Sequence, residues 1–141
     1  MNMHKLIIFS VALFLFCEIT NAQHAQLKPE FHKLKRDALR AKMPANSVAI
    51  LFASPVRNRA NDVDFVYHPD PNFYYLSGFR EPQSVLVIYK EIQQDTEGIY
   101  LDQLYVQERN PAREQWNGYR LGVKGAKKLG LDRVLLRSEF I

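Results

Sequence analysis

S-V-L-V-I-Y at residues 84–89 and I-Y-L-D-Q-L-Y-V at residues 99–106 decide the fold class. Both are short runs rich in β-branched and aromatic side chains, which suit a pleated surface and lose rotamer freedom in a helix. The polar residues from Gln93 to Gly98 between them read as a turn, so the two runs form an antiparallel pair. Outward toward the amino terminus, S-V-A-I-L-F-A at 47–53 is a continuous apolar run closed by Pro55. Its length and its Val and Ile favour a buried strand. A polar loop with Arg57, Asn58, Arg59 and Asn61 then feeds a further strand over Val63 to Tyr67.

Asp70-Pro71 and Asn110-Pro111 each place a side-chain acceptor before a proline, the signature of a helix start. The first opens one or two turns ending near Gly78, and the second opens a helix carrying Trp116. Val123 to Leu129 reads as a short helix stopped by Gly130, and Val134 to Leu136 as a last strand. Before all of these, Leu27, Phe31, Leu34, Ala38 and Leu39 recur at three- and four-residue steps. They predict an amphipathic helix over Pro29 to Lys42 that buries this stripe and ends before Pro44. Lys33-Leu34-Lys35-Arg36 and Lys127-Lys128 are then solvated helix faces, and His32 falls on the polar side as a surface residue. Helix, strands, helix and strand in that order imply an α/β domain with a mixed β-sheet flanked by helices.

The 141 residues have room for one such domain. They open with His4 and Lys5, an apolar run from Leu6 to Phe16, and Thr20-Asn21-Ala22. A basic start, a short apolar stretch and small residues at a cut describe a secretory signal peptide over residues 1–22. The apolar run is too short for a spanning anchor, which needs about 20 residues. Bulky Phe16 before Cys17 argues against a lipoprotein. The expected mature chain, residues 23–141, is secreted or periplasmic, holds no cysteine and depends on its packed core. Net charge is +4, spread along the chain with neither a basic stripe nor a reader motif, which excludes the usual nucleic-acid binders. No membrane contact is expected after cleavage.

Chemistry is harder to find. His4 and His24 lie in or beside the expected signal peptide, and His68 precedes Pro69 with Asp70 two residues on. A metal centre needs three or four converging ligands, so no metal ligand is assigned. Asp62 and Asp64 could share a strand face toward a cation, but loop capping and pairing with Arg57 or Arg59 is the simpler reading. No serine lies in G-x-S-x-G, and no Gly-rich phosphate loop is present. No catalytic residue is therefore assigned in this chain. Phe65, Tyr67, Phe73, Tyr74, Tyr75 and Phe79 read as core or domain interface. Trp116, with Arg113 three residues before and Arg120 four after, either exposes an aromatic between cations or fastens its helix to the sheet.

Two long motifs carry a family resemblance: N-D-V-D-F-V-Y-H-P-D-P-N-F-Y-Y-L-S-G-F-R-E-P from Asn61 and E-R-N-P-A-R-E-Q-W-N-G-Y-R-L-G from Glu108. With M-P-x-N-S-V-A-I-L-F before them and G-A-x-x-L-G after, the chain from Pro29 to Glu139 resembles the amino-terminal domain of aminopeptidase P. The resemblance implies the creatinase/prolidase type of α/β fold, truncated here before a carboxy-terminal "pita-bread" domain. That absent domain would hold two manganese ions on two Asp, one His and two Glu, and would act on peptides with proline in second position. None of those ligands maps onto this chain. The resemblance also implies homo-oligomer contacts and shaping of substrate access, for which Trp116, Arg113 and Arg120 are the candidates. A non-catalytic secreted binding module and a prolidase-like dipeptidase are the alternatives. Ser138 reads as the start of another helix, so the domain is expected to run on.

Overall fold

Residues 27–140 are described in the computed structural model, so the expected signal peptide at 1–22 lies outside the described residues. Helix α1 (Pro29–Lys42) leads to strands β1 (Val48–Phe52), β2 (Asn58–Ala60) and β3 (Val63–Asp64). Helix α2 (Pro71–Ser77), β4 (Val85–Asp95), β5 (Gly98–Val106), α3 (Pro111–Asn117), α4 (Gly122–Ala126) and β6 (Arg133–Leu136) follow. A 3-10 turn at Lys127–Leu129 extends α4, and another at Arg137–Glu139 follows β6. Among the described residues, no helix is long and apolar enough to cross a membrane.

The main sheet has the order β1-β4-β5-β6. β1 and β5 both run antiparallel to β4, and β6 runs parallel to β5. A parallel neighbour requires a crossover; here α3 and α4 make it. The mixed sheet is as the sequence implies. The expected strand at Val63–Tyr67 is not part of it. Only Val63–Asp64 is extended, and it pairs with Asn58–Ala60 as a separate exposed hairpin. Asp62 falls in the turn of that hairpin, so the two-residue strand period does not align it with Asp64. Asp64 accepts a hydrogen bond from the Asn58 amide at 3.2 Å, and neither aspartate pairs with Arg57 or Arg59 among the described residues.

Residues opposite each other across the antiparallel pairs share a face. Leu86, Ile88, Leu104, Val106 and Val134 lie on one face with Phe73, Phe79, Ala126 and Leu131 packed over them, and this is the core. Side chains on the other face of β1 are not covered. Val48, Ile50 and Phe52 are 48%, 47% and 60% exposed, so the strand expected to be buried is an edge strand covered on one face. The aromatic cluster divides as well: Phe73 and Phe79 are fully buried, while Phe65 and Tyr75 are exposed. Both cap signals hold, with Asp70 Oδ1 accepting from the Phe73 amide at 2.8 Å and Asn110 Oδ1 from the Ala112 amide at 3.1 Å.

Helix α1 has the expected bounds but is rotated from the expected face. Leu34 is 63% exposed and Ala38 is exposed, whereas His32 and Arg36 are fully buried. The buried stripe is His32, Arg36, Leu39 and Met43, with the last two packed at the margin of the core. The reason lies in the sheet, where Asp102 of β5 is 3% exposed and a buried carboxylate needs a cation. Arg36 Nε donates to Asp102 Oδ2 at 2.7 Å, Nη1 to the Leu76 carbonyl at 2.9 Å and Nη2 to the Gly130 carbonyl at 2.7 Å. Asp102 Oδ1 accepts from the Asp132 amide at 2.9 Å. His32, one turn earlier, donates from Nδ1 to the Tyr75 carbonyl at 2.9 Å. Its ring fills the space beside Gly78, where a Cβ would fall 2.8 Å from the imidazole and where φ is +71°. Only glycine fits there without strain.

Removing one partner of a buried pair leaves the other charge uncompensated, so Asp102→Ala is expected to cost about 3–5 kcal/mol. Denaturant unfolding followed by circular dichroism measures this. Replacing both partners, as Arg36→Met with Asp102→Leu, is expected to recover part of the loss.

Candidate functional site

The segment from Glu108 to Gly122 crosses the carboxyl end of β5 and carries all three candidate residues. Helix α3 has no buried residue, so packing does not hold it in place. Polar contacts do. Arg109 donates to both carboxylate oxygens of Glu114, at 2.8 and 3.2 Å, and its guanidinium lies 4.8 Å from the Tyr119 ring centroid. Glu114 Oε1 also accepts from the Arg120 amide at 3.4 Å. That arrangement holds the Glu114 carboxyl below its ordinary range, chiefly through the Arg109 hydrogen bond. From the loop before β4, Glu81 Oε1 accepts from the Leu121 amide at 2.7 Å.

Glu81 is the unusual member. Its second oxygen, Oε2, is buried and has no hydrogen-bond partner, and so is the hydroxyl of Tyr67. Burial pushes the Glu81 carboxyl above its ordinary value of 4.5, against the opposing pull of the Leu121 amide and Arg120. Burial likewise raises the Tyr67 hydroxyl, with Asp70 adding to the effect and Arg120 opposing it. Arg120 is thus the positive charge that both groups face.

Trp116 is 83% exposed. The alternative in which it fastens its helix to the sheet therefore fails, and the indole stands free on the surface. Arg113 and Arg120 come together in a cleft of about 370 Å³, with Glu114, Gln83, Gln107 and Arg137 also on its walls. Trp116 does not line that cleft. His68 is exposed beside the hairpin and Ser77 is fully buried, its hydroxyl donating to the Phe73 carbonyl at 2.6 Å. Among the described residues no three His, Cys, Asp or Glu side chains converge as a metal site. The cleft offers arginine donors and side-chain amides, a set suited to carboxylate or carbonyl groups. Glu81 and Arg109 shape this segment and were not picked out from the sequence: the partner of Glu81 is a backbone amide 40 residues on, and the Arg109–Glu114 pair spans five residues, off the three- and four-residue helical steps.

Residues 32–140 match the family model described as "Aminopeptidase P, N-terminal domain". The chain belongs to the aminopeptidase P amino-terminal domain family. It is 36% identical over 113 residues to the Xaa-Pro aminopeptidase of Escherichia coli, covering 79% of this chain and 24% of that protein. It is 30% identical over 127 residues to human Xaa-Pro aminopeptidase 3, covering 86% of this chain and 24% of that one. Among solved structures, a variant of Escherichia coli aminopeptidase P in complex with substrate superposes with a TM-score of 0.70 at 34% identity, over 82% of this chain and 26% of that chain. The aminopeptidase PepP of Pseudomonas aeruginosa gives a TM-score of 0.70 at 36% identity, over 81% and 25%. The aminopeptidase P domain described here thus spans about a quarter of the length of the relatives it matches.

The raised Glu81 carboxyl fixes the sign of a pH effect. The folded state keeps this proton to higher pH than the unfolded chain, so stability falls as pH rises from 4.5 through the raised value. Glu81→Gln keeps an acceptor for the Leu121 amide and removes the charge. It is expected to raise the urea midpoint near pH 7, with the gain fading below pH 4.5; urea titrations at a series of pH values check both halves.

Proposed function

We propose that this chain is the access-shaping domain of a secreted Xaa-Pro aminopeptidase, which removes the first residue from peptides with proline in second position. The exposed Trp116 carries this reading. An indole without a packing partner costs solvation, and here it stands on a segment held by Glu81 and Glu114 next to a cleft with two arginines. A flat aromatic face suits a proline ring, and a guanidinium suits a peptide carboxylate. Membership of the aminopeptidase P family and the names of the relatives support the substrate class. Bond hydrolysis would be supplied by two manganese ions in a further domain, since the residues described here do not provide their ligands. Secretion rests on the pattern of residues 1–22, and a homo-oligomer with contacts through the Trp116 segment is part of this reading.

The test uses the full reading frame, assayed with an Xaa-Pro tripeptide and an Xaa-Pro dipeptide. Turnover of the tripeptide is the expected result, whereas turnover of the dipeptide alone moves the reading to the prolidase-like enzyme. Trp116→Ala is expected to lower kcat/KM about 10-fold, equivalent to about 1.4 kcal/mol, without changing the unfolding midpoint. The chain ending at Ile141 should show no cleavage. Full activity in Trp116→Ala would remove the indole from substrate access.

A further inference from the structure

Asn117 is the last residue of α3 and Gly118 follows it, both of them exposed. The amide carbon of an asparagine side chain, Cγ, lies where the next residue's backbone nitrogen can reach it and close a cyclic imide. Two things ordinarily prevent that approach: a Cβ on the following residue, and a hydrogen bond that engages its N–H. Gly118 has neither. It carries no Cβ, and no heavy atom lies within 4 Å of where one would stand. Its N–H has no acceptor among the described residues, whereas Gly78, in the same place at the end of α2, donates to the Tyr74 carbonyl at 2.8 Å. With φ at +72° and ψ at 169°, the backbone at Gly118 has left the helix for a region that glycine alone enters freely.

Other asparagines are guarded. Asn72 is also exposed, but the amide that would attack it belongs to Phe73, which has a Cβ and donates to Asp70 Oδ1 at 2.8 Å. Asn110 precedes Pro111, whose nitrogen has no proton to lose. At Asn117, by contrast, α3 buries nothing, so no packing resists the small shift that ring closure needs.

The surrounding charge favours the same step. Asn117 and Gly118 line the cleft shared by Arg113, Arg120 and Arg137. Of the two carboxylates on its walls, Glu114 is bound by Arg109, which leaves three guanidiniums against Glu108. Positive charge beside the reacting atoms stabilises a deprotonated amide nitrogen and the oxyanion that develops on the side-chain carbonyl.

We propose that Asn117 is a self-modification site, converted to aspartate and isoaspartate by attack of the Gly118 nitrogen on its side-chain carbonyl. Water or hydroxide takes the Gly118 amide proton, the N–Cγ bond forms, the Cγ–Nδ2 bond breaks, and Nδ2 leaves as ammonia. Water then opens the imide. Breaking N–Cγ restores the original backbone with an aspartate, and breaking the bond from N to the backbone carbonyl leaves an isoaspartate. Either product sets a new carboxylate in the arginine cleft, with Arg113 one helical turn before it and within pairing reach. Isoaspartate also lengthens the main chain directly after Trp116, so the exposed indole is presented differently in aged protein.

Ageing the full-length protein in mildly alkaline buffer tests this. Trypsin then releases Glu114–Arg120 as one peptide; fragment-ion mass spectrometry locates the amide-to-acid conversion, and an isoaspartyl methyltransferase measures the isoaspartate share. Conversion at Asn117 is expected to be at least about 10-fold faster than at Asn72, where the attacking N–H must first give up its bond to a carboxylate. The rate should rise with pH. Asn117→Gln, whose longer side chain closes the ring slowly, should remove the conversion and leave the unfolding midpoint unchanged. Conversion no faster than at Asn72 overturns the proposal, as does a rate in the folded protein well below that of the free peptide Glu114–Arg120. Conversion without isoaspartate overturns the imide route. In Asn117→Asp, Arg113 is expected to react more slowly with phenylglyoxal than in unaged protein, and an equal rate overturns the pairing of the new carboxylate.

Discussion

A guanidinium sealed inside the domain, on the carboxylate of Asp102, sets the arrangement of almost everything else. Desolvating two charges costs several kcal/mol per ion, and mutual attraction offsets this only when the remaining donors and acceptors are satisfied as well. Here they are. Arg36 reaches the sheet through Asp102, the end of α2 through Leu76, and the approach to β6 through Gly130. The other oxygen of Asp102 takes the Asp132 amide, so the crossover from β5 to β6 is tied to the same carboxylate. One side chain thereby fixes the rotation of α1, the closure of α2 and the return of the chain to its parallel strand. His32 extends this constraint by one helical turn, wedged against a glycine that has no Cβ to offer.

This also explains which parts of the fold the sequence made legible. The antiparallel pair, the caps at Asp70 and Asn110 and the stop at Gly130 are local decisions, written in residue types a few positions apart. Helix α1 was legible in extent but not in rotation. Its apolar residues define a stripe through Leu34, while its buried face is chosen by a carboxylate 66 residues away. Periodicity counts a buried arginine as a solvent-facing one, and only the distant partner reverses that. The short β2–β3 hairpin escaped for a different reason: V-D-F-V-Y has strand composition, but most of it lies exposed outside the main sheet.

The candidate site was legible in its exposed members and hidden in its supports. Trp116, Arg113 and Arg120 stand out by residue type and spacing, although α3 ends at Asn117, so Arg120 lies beyond the helix and the two arginines meet in a cleft that Trp116 does not line. Glu81 does not, since its partner is a backbone amide 40 residues on. The segment needs such supports because α3 buries nothing. A short helix on hydrogen bonds alone would fray, and two carboxylates, Glu114 within the helix and Glu81 from the loop before β4, hold the loop that follows it. Rigid presentation of an exposed indole and freedom from the core are obtained together.

Charge leads to the same place. The chain carries 19 basic residues against 15 acidic ones. Arg36 and Arg40 share Asp102, Arg133 is committed to Asp95 at the tip of the β4–β5 hairpin, and Arg109 is committed to Glu114. Arg113, Arg120 and Arg137 have no ion-pair partner among the described residues, and all three line one cleft. Arg36 and Arg133 by contrast act as clamps between elements distant in sequence. The three cleft arginines lie beside the segment that carries Trp116, where a carboxylate or carbonyl partner would meet guanidinium donors not held in an ion pair.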